Sequence, residues 1–146
     1  RLKIIGKGEL KTEIKENLQE KNIRYELVDK VPNHEMVSIY QKSKIYIITS
    51  KYEGNPKSLL EAMSCGLPVI GTNVTGIREV IKNNSNGLTV KECETSIRKA
   101  IDQIINDENL SNRMGYNARE SILNNNAFEK SIRIEIEDYN SIKRNA

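Results

Sequence analysis

Two glutamates eight positions apart, Glu53 and Glu61, are the residues whose type and spacing most readily do chemistry. A carboxylate accepts two hydrogen bonds side by side, which suits the vicinal hydroxyls of a sugar or a ribose. Between them runs Gly54-Asn55-Pro56-Lys57-Ser58-Leu59-Leu60. Gly54 and Pro56 stiffen a turn that exposes backbone N–H groups just before a helix begins near Lys57–Ser58. Free N–H groups and the positive end of the helix dipole make such a terminus an anion site. A diphosphate held between two sugar rings would satisfy these features together. The same residues also have a purely structural reading, with Glu53 capping its own loop and Glu61 solvated on a helix. From the residues alone, both readings stand.

The elements that must position this stretch follow from periodicity. Short apolar runs alternate with helical spacings, the signature of repeated βα units and a parallel sheet. Strands are expected at Leu2–Ile5, Tyr25–Val28, Ile45–Thr49, Pro68–Gly71 and Gly87–Val90. The continuously apolar Ile45–Ile48 run suits a strand covered on both faces, and in open parallel sheets ligands bind just beyond the carboxyl ends of the strands. Leu10, Ile14 and Leu18 predict a helix that Asn22 ends. Met36, Ile39 and Tyr40 predict a second with Asn33 as its cap, and Leu59, Leu60, Ala62 and Met63 a third that Gly66 and Pro68 stop. No strand is expected from Glu94 onward. Ile97, Ala100, Ile101, Ile104 and Ile105 form an amphipathic stripe, Leu110, Met114 and Ala118 begin another after Asp107, and Phe128, Ile132, Ile136 and Tyr139 a last one after Asn124-Asn125-Asn126.

Composition narrows the classes. A chain of 146 residues suits one domain. The balance of 23 Lys+Arg against 20 Asp+Glu leaves a formal charge of +3, spread without a long basic run, which does not imply nucleic acid. One Phe and no Trp argue against an aromatic base-stacking surface, and no apolar stretch nears the roughly 20 residues of a spanning helix. Cys65 and Cys93, with His34 the only histidine, make neither a disulfide framework nor a zinc site and read as reduced thiols of a cytosolic protein. Arg1-Leu2-Lys3-Ile4-Ile5 enters a strand directly, without an initiator Met, so the chain is read as an internal or C-terminal piece of something longer.

Lesser candidates have structural readings. Gly6-Lys7-Gly8 lacks the third glycine of a dinucleotide fingerprint, with Lys11 in its place, and reads as a tight strand-to-helix turn. His34 and Arg78 read as surface residues, and Cys65 as packing. Lys57 serves equally well as a charge near phosphate or as a surface lysine. Thr75 and Gly76 would line a pocket through backbone alone.

The run Glu53–Ile70, continued by Gly71-Thr72-Asn73-Val74-Thr75-Gly76-Ile77-Arg78-Glu79-Val80-Ile81, resembles the retaining glycosyltransferases of the GT-B fold, group 1 (family 4). Lys3–Leu10, Asn84–Val90 and the helical segment with Met114, Ala118 and Arg119 extend the resemblance over nearly the whole chain. It implies a Rossmann-like α/β fold: a parallel sheet with helices on both faces and a C-terminal helical segment, the C-terminal half of a GT-B fold. Residues 1–146 would be a single nucleotide-sugar-binding domain of a two-domain enzyme, without its first strand and its N-terminal acceptor domain. The family's Arg and Lys that grip the diphosphate would precede Arg1, so the piece alone is expected to be inactive.

By the same resemblance, Glu53 bonds the donor hexose and supports positive charge near its anomeric carbon. Glu61 holds the ribose hydroxyls. Gly54, Asn55, Pro56 and Lys57 present amides to sugar and phosphate, Ser58, Leu59 and Leu60 open the helix beneath, and Val31 faces the base through its backbone. Asn55 stands where many relatives carry an aromatic residue. The implied partners are a nucleotide-sugar donor and a glycan or lipid-linked acceptor, with no cofactor and no metal; the sequence holds no Asp-x-Asp motif. A cytoplasmic location follows, with peripheral docking on anionic membrane lipid compatible with the mild positive charge. A GT-B-like sugar-nucleotide epimerase and a non-catalytic nucleotide-sugar-binding domain are the alternatives.

Overall fold

A computed structural model of the chain describes residues 1–125. The expected last helix, from Phe128 to Tyr139, lies outside the described residues, as does Asn126 of the polar break; Asn124 and Asn125 are the last residues of a helix. The chain divides into two units, residues 1–36 and 37 onward.

The first unit is a βαβ turn. Strand β1 (Leu2–Ile5) and strand β2 (Tyr25–Val28) pair in parallel, Leu2 opposite Tyr25 and Ile5 opposite Val28. Helix α1 (Lys11–Glu20) connects them and buries Leu18, while Leu10 stands before the helix and is exposed. Asn22 adopts φ +51° just past the helix. From there its N–H reaches the Gln19 carbonyl (3.0 Å) and the Ile23 N–H the Leu18 carbonyl (2.9 Å), closing the paired-bond motif of a left-handed helix end. Lys3 sits directly opposite Glu26 and bonds it at 2.7 Å, and Arg1 adds a second contact to the same carboxylate. Helix α2 (Asn33–Gln41) follows and runs across the boundary after residue 36, so that Tyr40 belongs to the second unit. It includes Asn33 as its first residue instead of using it as the preceding cap, because the turn closes earlier, on the Pro32 carbonyl.

The second unit holds β3 (Tyr46–Ile48), α3 (Lys57–Ser64), β4 (Val69–Thr72), α4 (Thr75–Val80), β5 (Leu88–Val90), α5 (Glu94–Asn106) and α6 (Glu108–Asn125). Its three strands are parallel in the order β3-β4-β5, with Ile47, Ile70 and Leu88 in one row. The architecture is thus the expected α/β class, realised as two parallel sheets among the described residues. Crossover connections through a helix make paired strands parallel, but they leave the choice of neighbours to packing. Ile45 and Thr49 fall outside the β3 ladder.

Side-chain alternation assigns the faces. Ile70, Leu88 and Val90 pack against Ala100 and Ile104 of α5 and Met114 of α6. The opposite face carries Ile48 and Gly71, where Ile77 and Ile81 close so tightly that a Cβ on Gly71 would lie 2.5 Å from Ile77. Helices therefore cover both faces. The α5 stripe is realised except at Ile105, which is 58% exposed. Asp107 caps α6 by accepting the Leu110 N–H at 2.8 Å. At the end of α3, Gly66 (φ +73°) donates to the Met63 carbonyl at 2.9 Å, and Leu67 donates to that of Ala62 at 3.1 Å. That left-handed turn is the one that the Gly-then-Pro order predicts. Buried Asn86 ties the loop before β5 down, accepting from Lys82 N (2.7 Å) and donating to Ser121 Oγ (3.1 Å).

Candidate functional site

The loop after β3 is built from both sides. Thr72, the last residue of β4 and fully buried, donates its hydroxyl to the Ser50 carbonyl at 2.6 Å. Ser50 Oγ in turn donates to Glu53 Oε1 at 2.8 Å, which fixes one carboxylate oxygen of the half-buried Glu53. The backbone of Glu53 is seated separately: Gly76, in the first turn of α4, donates its N–H to the Glu53 carbonyl at 3.2 Å. A Cβ on Gly76 would stand 2.3 Å from that oxygen and 2.8 Å from the Gly54 carbonyl oxygen. The missing side chain is what allows the loop and α4 to meet.

Helix α3 begins at Lys57, with Pro56 in the cap position and no side chain capping the first turn. Its leading N–H groups are met in part by the loop itself: Lys57 donates to Asn55 O (2.9 Å), and Leu59 and Leu60 donate to Pro56 O (2.9 and 3.1 Å). The turn is therefore less open than Gly54 and Pro56 alone suggest. Gly54, Asn55, Lys57 and Ser58 are exposed, Leu60 is half-buried, and Pro56 and Leu59 are buried in the core. The Leu59 side chain thus packs in the core, whereas the buried Pro56 also borders the cleft beside the loop.

Glu61, one turn further along α3, is exposed and accepts a hydrogen bond from the Tyr40 hydroxyl at 3.1 Å. Tyr46 Oη and Ser58 Oγ share a 2.7 Å bond beside it. Burial pushes the Tyr46 phenol above its usual range, opposed by the Ser58 bond and reinforced by the charges of Glu53 and Glu61. Both glutamates therefore act on one tyrosine, and the structure brings Glu53, Glu61 and the residues 54–60 together around the start of α3. Val31 belongs to the first unit, after β2, where it is half-buried.

A cleft of about 360 Å³ borders the loop, with Gly54, Asn55, Leu60, Gly76 and Glu79 in its wall. A larger one, about 500 Å³, opens between Tyr40, Lys44, Pro68, Ile104 and Asn112, and neither Glu53 nor Glu61 lines either cleft. Among the described residues, no group of three or more His, Cys, Asp or Glu is placed to hold a metal ion. No helix of the described residues is long and apolar enough to cross a membrane.

Of the lesser candidates, Gly76 but not Thr75 is in the wall of the smaller cleft, and the half-buried Cys65 borders the larger one. His34 is 82% exposed in the first turn of α2, beside Glu35 at 3.7 Å. Arg78 is exposed and reaches only Thr75 Oγ1 (3.4 Å), within a stretch that is helix α4 and not a bare turn. Sequence reasoning missed Tyr40, Tyr46, Ser50 and Thr72. The two tyrosines sit in apolar patterns that read as core, and nothing in spacing marks a hydroxyl that will meet a carboxylate far along the chain.

Known proteins resemble this chain in sequence and in fold. The family model for glycosyl transferases group 1 matches residues 1–121. The chain is 31% identical over 128 residues to the UDP-Gal:alpha-D-GlcNAc-diphosphoundecaprenol alpha-1,3-galactosyltransferase of Escherichia coli, covering 83% of this chain and 32% of that protein. It is 31% identical over 120 residues to an uncharacterized glycosyltransferase of Methanocaldococcus jannaschii, covering 81% and 34%. Among solved structures, sucrose-phosphate synthase from Thermosynechococcus elongatus superposes with a TM-score of 0.85 at 23% identity, over 99% of this chain and 39% of that one. S. aureus TarM, in a complex that includes UDP, gives 0.80 at 24% identity, over 92% and 28%. The chain spans about a third of the length of these curated relatives. With the match running through both strands of the first unit and the whole Glu53–Glu61 block of the second, the chain belongs to the glycosyl transferases group 1 family.

Proposed function

We propose that this chain is the C-terminal, nucleotide-sugar-binding domain of a retaining glycosyltransferase. It would act with an acceptor-binding domain to move a hexose from a nucleotide diphospho-sugar to a glycan, lipid-linked or polysaccharide acceptor. The observation that carries the reading is the pair of held carboxylates: Glu53 by Ser50 and Glu61 by Tyr40, on either side of the first turn of α3.

In this reading the donor diphosphate lies at the start of α3, where the helix dipole and the exposed Lys57 offset the negative charge that grows on the leaving nucleoside diphosphate. The transfer, in this reading, needs neither a cofactor nor a metal. Glu53 faces the hexose, and with one oxygen occupied by Ser50 its carboxylate stabilises positive charge developing at the anomeric carbon. Glu61 holds the ribose, and the loop Gly54–Lys57 faces the sugar and phosphate between them, with the Lys57, Leu59 and Leu60 N–H groups already bonded within the turn. A lipid-linked acceptor, such as the E. coli relative's name describes, would be met at a membrane surface on the cytoplasmic side.

The test is turnover of radiolabelled UDP-, GDP- and ADP-hexoses by the full-length protein, with the anomeric configuration of the product read by NMR. Glu53→Gln should leave nucleoside diphosphate affinity nearly intact and depress turnover, because charge at that position matters most in the transition state. Full turnover in that variant, or an inverted product, would refute the assignment.

A further inference from the structure

Glu61 stands on an exposed stretch of α3, yet its carboxylate is not left to swing in solvent. Tyr40, the penultimate residue of α2 and only 4% exposed, donates to Glu61 Oε2 at 3.1 Å. The same hydroxyl lies 3.4 Å from the Ser58 carbonyl, one turn earlier in α3. The Tyr40 ring meets that of Tyr46 edge to face, with centroids 6.0 Å apart at 76°. Tyr46 closes the set through its 2.7 Å bond to Ser58 Oγ. Two tyrosines from different elements thus brace one turn of α3 and the carboxylate it carries. Burial, with the Glu61 charge second, pushes the Tyr40 phenol well above its usual range, so it remains a donor at any working pH.

A solvated surface glutamate needs none of this. Water satisfies a carboxylate without cost, whereas fixing its side chain loses rotamer entropy. The arrangement is explained if the direction of the carboxylate matters. Tyr40 takes one acceptor site on Oε2, and Oε1 has no partner among the described residues. Of the roughly four lone-pair sites on a carboxylate, Tyr40 uses one, so sites on both oxygens stay available to a pair of vicinal hydroxyls.

We infer that Tyr40 is a positioning residue for the donor: its buried hydroxyl holds Glu61 in the orientation that accepts both ribose hydroxyls. The inference deepens the donor-site reading and rests on it.

The test is calorimetric binding of UDP, GDP and ADP, each against its 2′,3′-dideoxy counterpart, to the full-length protein. The wild type should prefer the ribonucleotide. Tyr40→Phe, which keeps the ring packing, should weaken the ribonucleotide by on the order of tenfold and the dideoxy nucleotide by less than about twofold. Donor KM should rise with kcat nearly unchanged. Equal losses on both nucleotides, or no loss, would overturn the positioning role while leaving the ribose reading intact. A wild type that does not distinguish the two nucleotides would instead overturn the ribose reading, and this inference with it. Should Tyr40→Phe also loosen the fold, Tyr40→Phe made in a Glu61→Ala background still decides. A further loss of affinity there would show that Tyr40 acts through the fold and not through Glu61; no further loss is expected.

Discussion

Gly76→Ala tests whether the Glu53 loop is seated on α4 as the geometry requires. The added Cβ would stand 2.3 Å from the Glu53 carbonyl oxygen and 2.8 Å from the Glu53 carbonyl carbon, about 1 Å short of ordinary contact, and all these neighbours are backbone. No rotamer change can relieve it. Either α4 or the loop moves by roughly that distance, and the 3.2 Å bond from Gly76 N to Glu53 O is lost with it. Overpacking of this kind costs about 1–3 kcal/mol of stability. The functional cost should be larger, because a 1 Å displacement of a reacting group costs on the order of 10²-fold in rate. Glu61, held independently by Tyr40, should keep nucleoside diphosphate affinity within about threefold. The assay is urea unfolding alongside sugar transfer by the full-length protein. Gly54→Ala is the stability control: a Cβ there meets nothing within 4 Å, so its unfolding midpoint should stay near the wild-type value. Wild-type melting and turnover in Gly76→Ala would refute the reasoning, since the contact that seats the loop would then not exist in solution.

Two further outcomes are expected. Glu61→Ala should weaken UDP, GDP or ADP, whichever binds, by about 1.5–3 kcal/mol with little change in folding, the range for a charged hydrogen-bond partner; unaltered affinity in calorimetry would remove Glu61 from the site. The two cysteines should differ in reactivity with pH. The hydroxyls of Ser96 and Thr95 and the Ser96 N–H bring the exposed Cys93 thiol down to about 7, while burial pushes Cys65 up. Cys93 is therefore mostly thiolate above pH about 7 and mostly thiol below it. Iodoacetamide should label it first, with a midpoint near neutrality, and equal labelling of both residues would show the helix-start environment of Cys93 to be misjudged.

Local chemistry decided what could be read from the chain alone. The first two strands run between the residues expected, since each is a short apolar run bounded by turns. The ends of α1 and α3 fall at Asn22 and Gly66, since only residues that tolerate left-handed backbone close those turns. The Glu53–Glu61 spacing and the loop between them were legible because one segment carries them all. The expectations that failed depend on distant partners. The β3 ladder stops short of Ile45 and Thr49 because pairing with β4 sets its length. The stretch at Gly76–Glu79 is helical and lies against the Glu53 backbone because Gly76 alone permits that approach. Above all, no pattern marks Ser50, Thr72 and Tyr40 as the residues that aim the two glutamates. Periodicity reports the face an element buries, whereas the Glu61 carboxylate is met by a hydroxyl 21 positions away, and Ser50, whose own hydroxyl meets Glu53, has its carbonyl tied by Thr72 22 positions away; only packing brings those distant groups within hydrogen-bond reach.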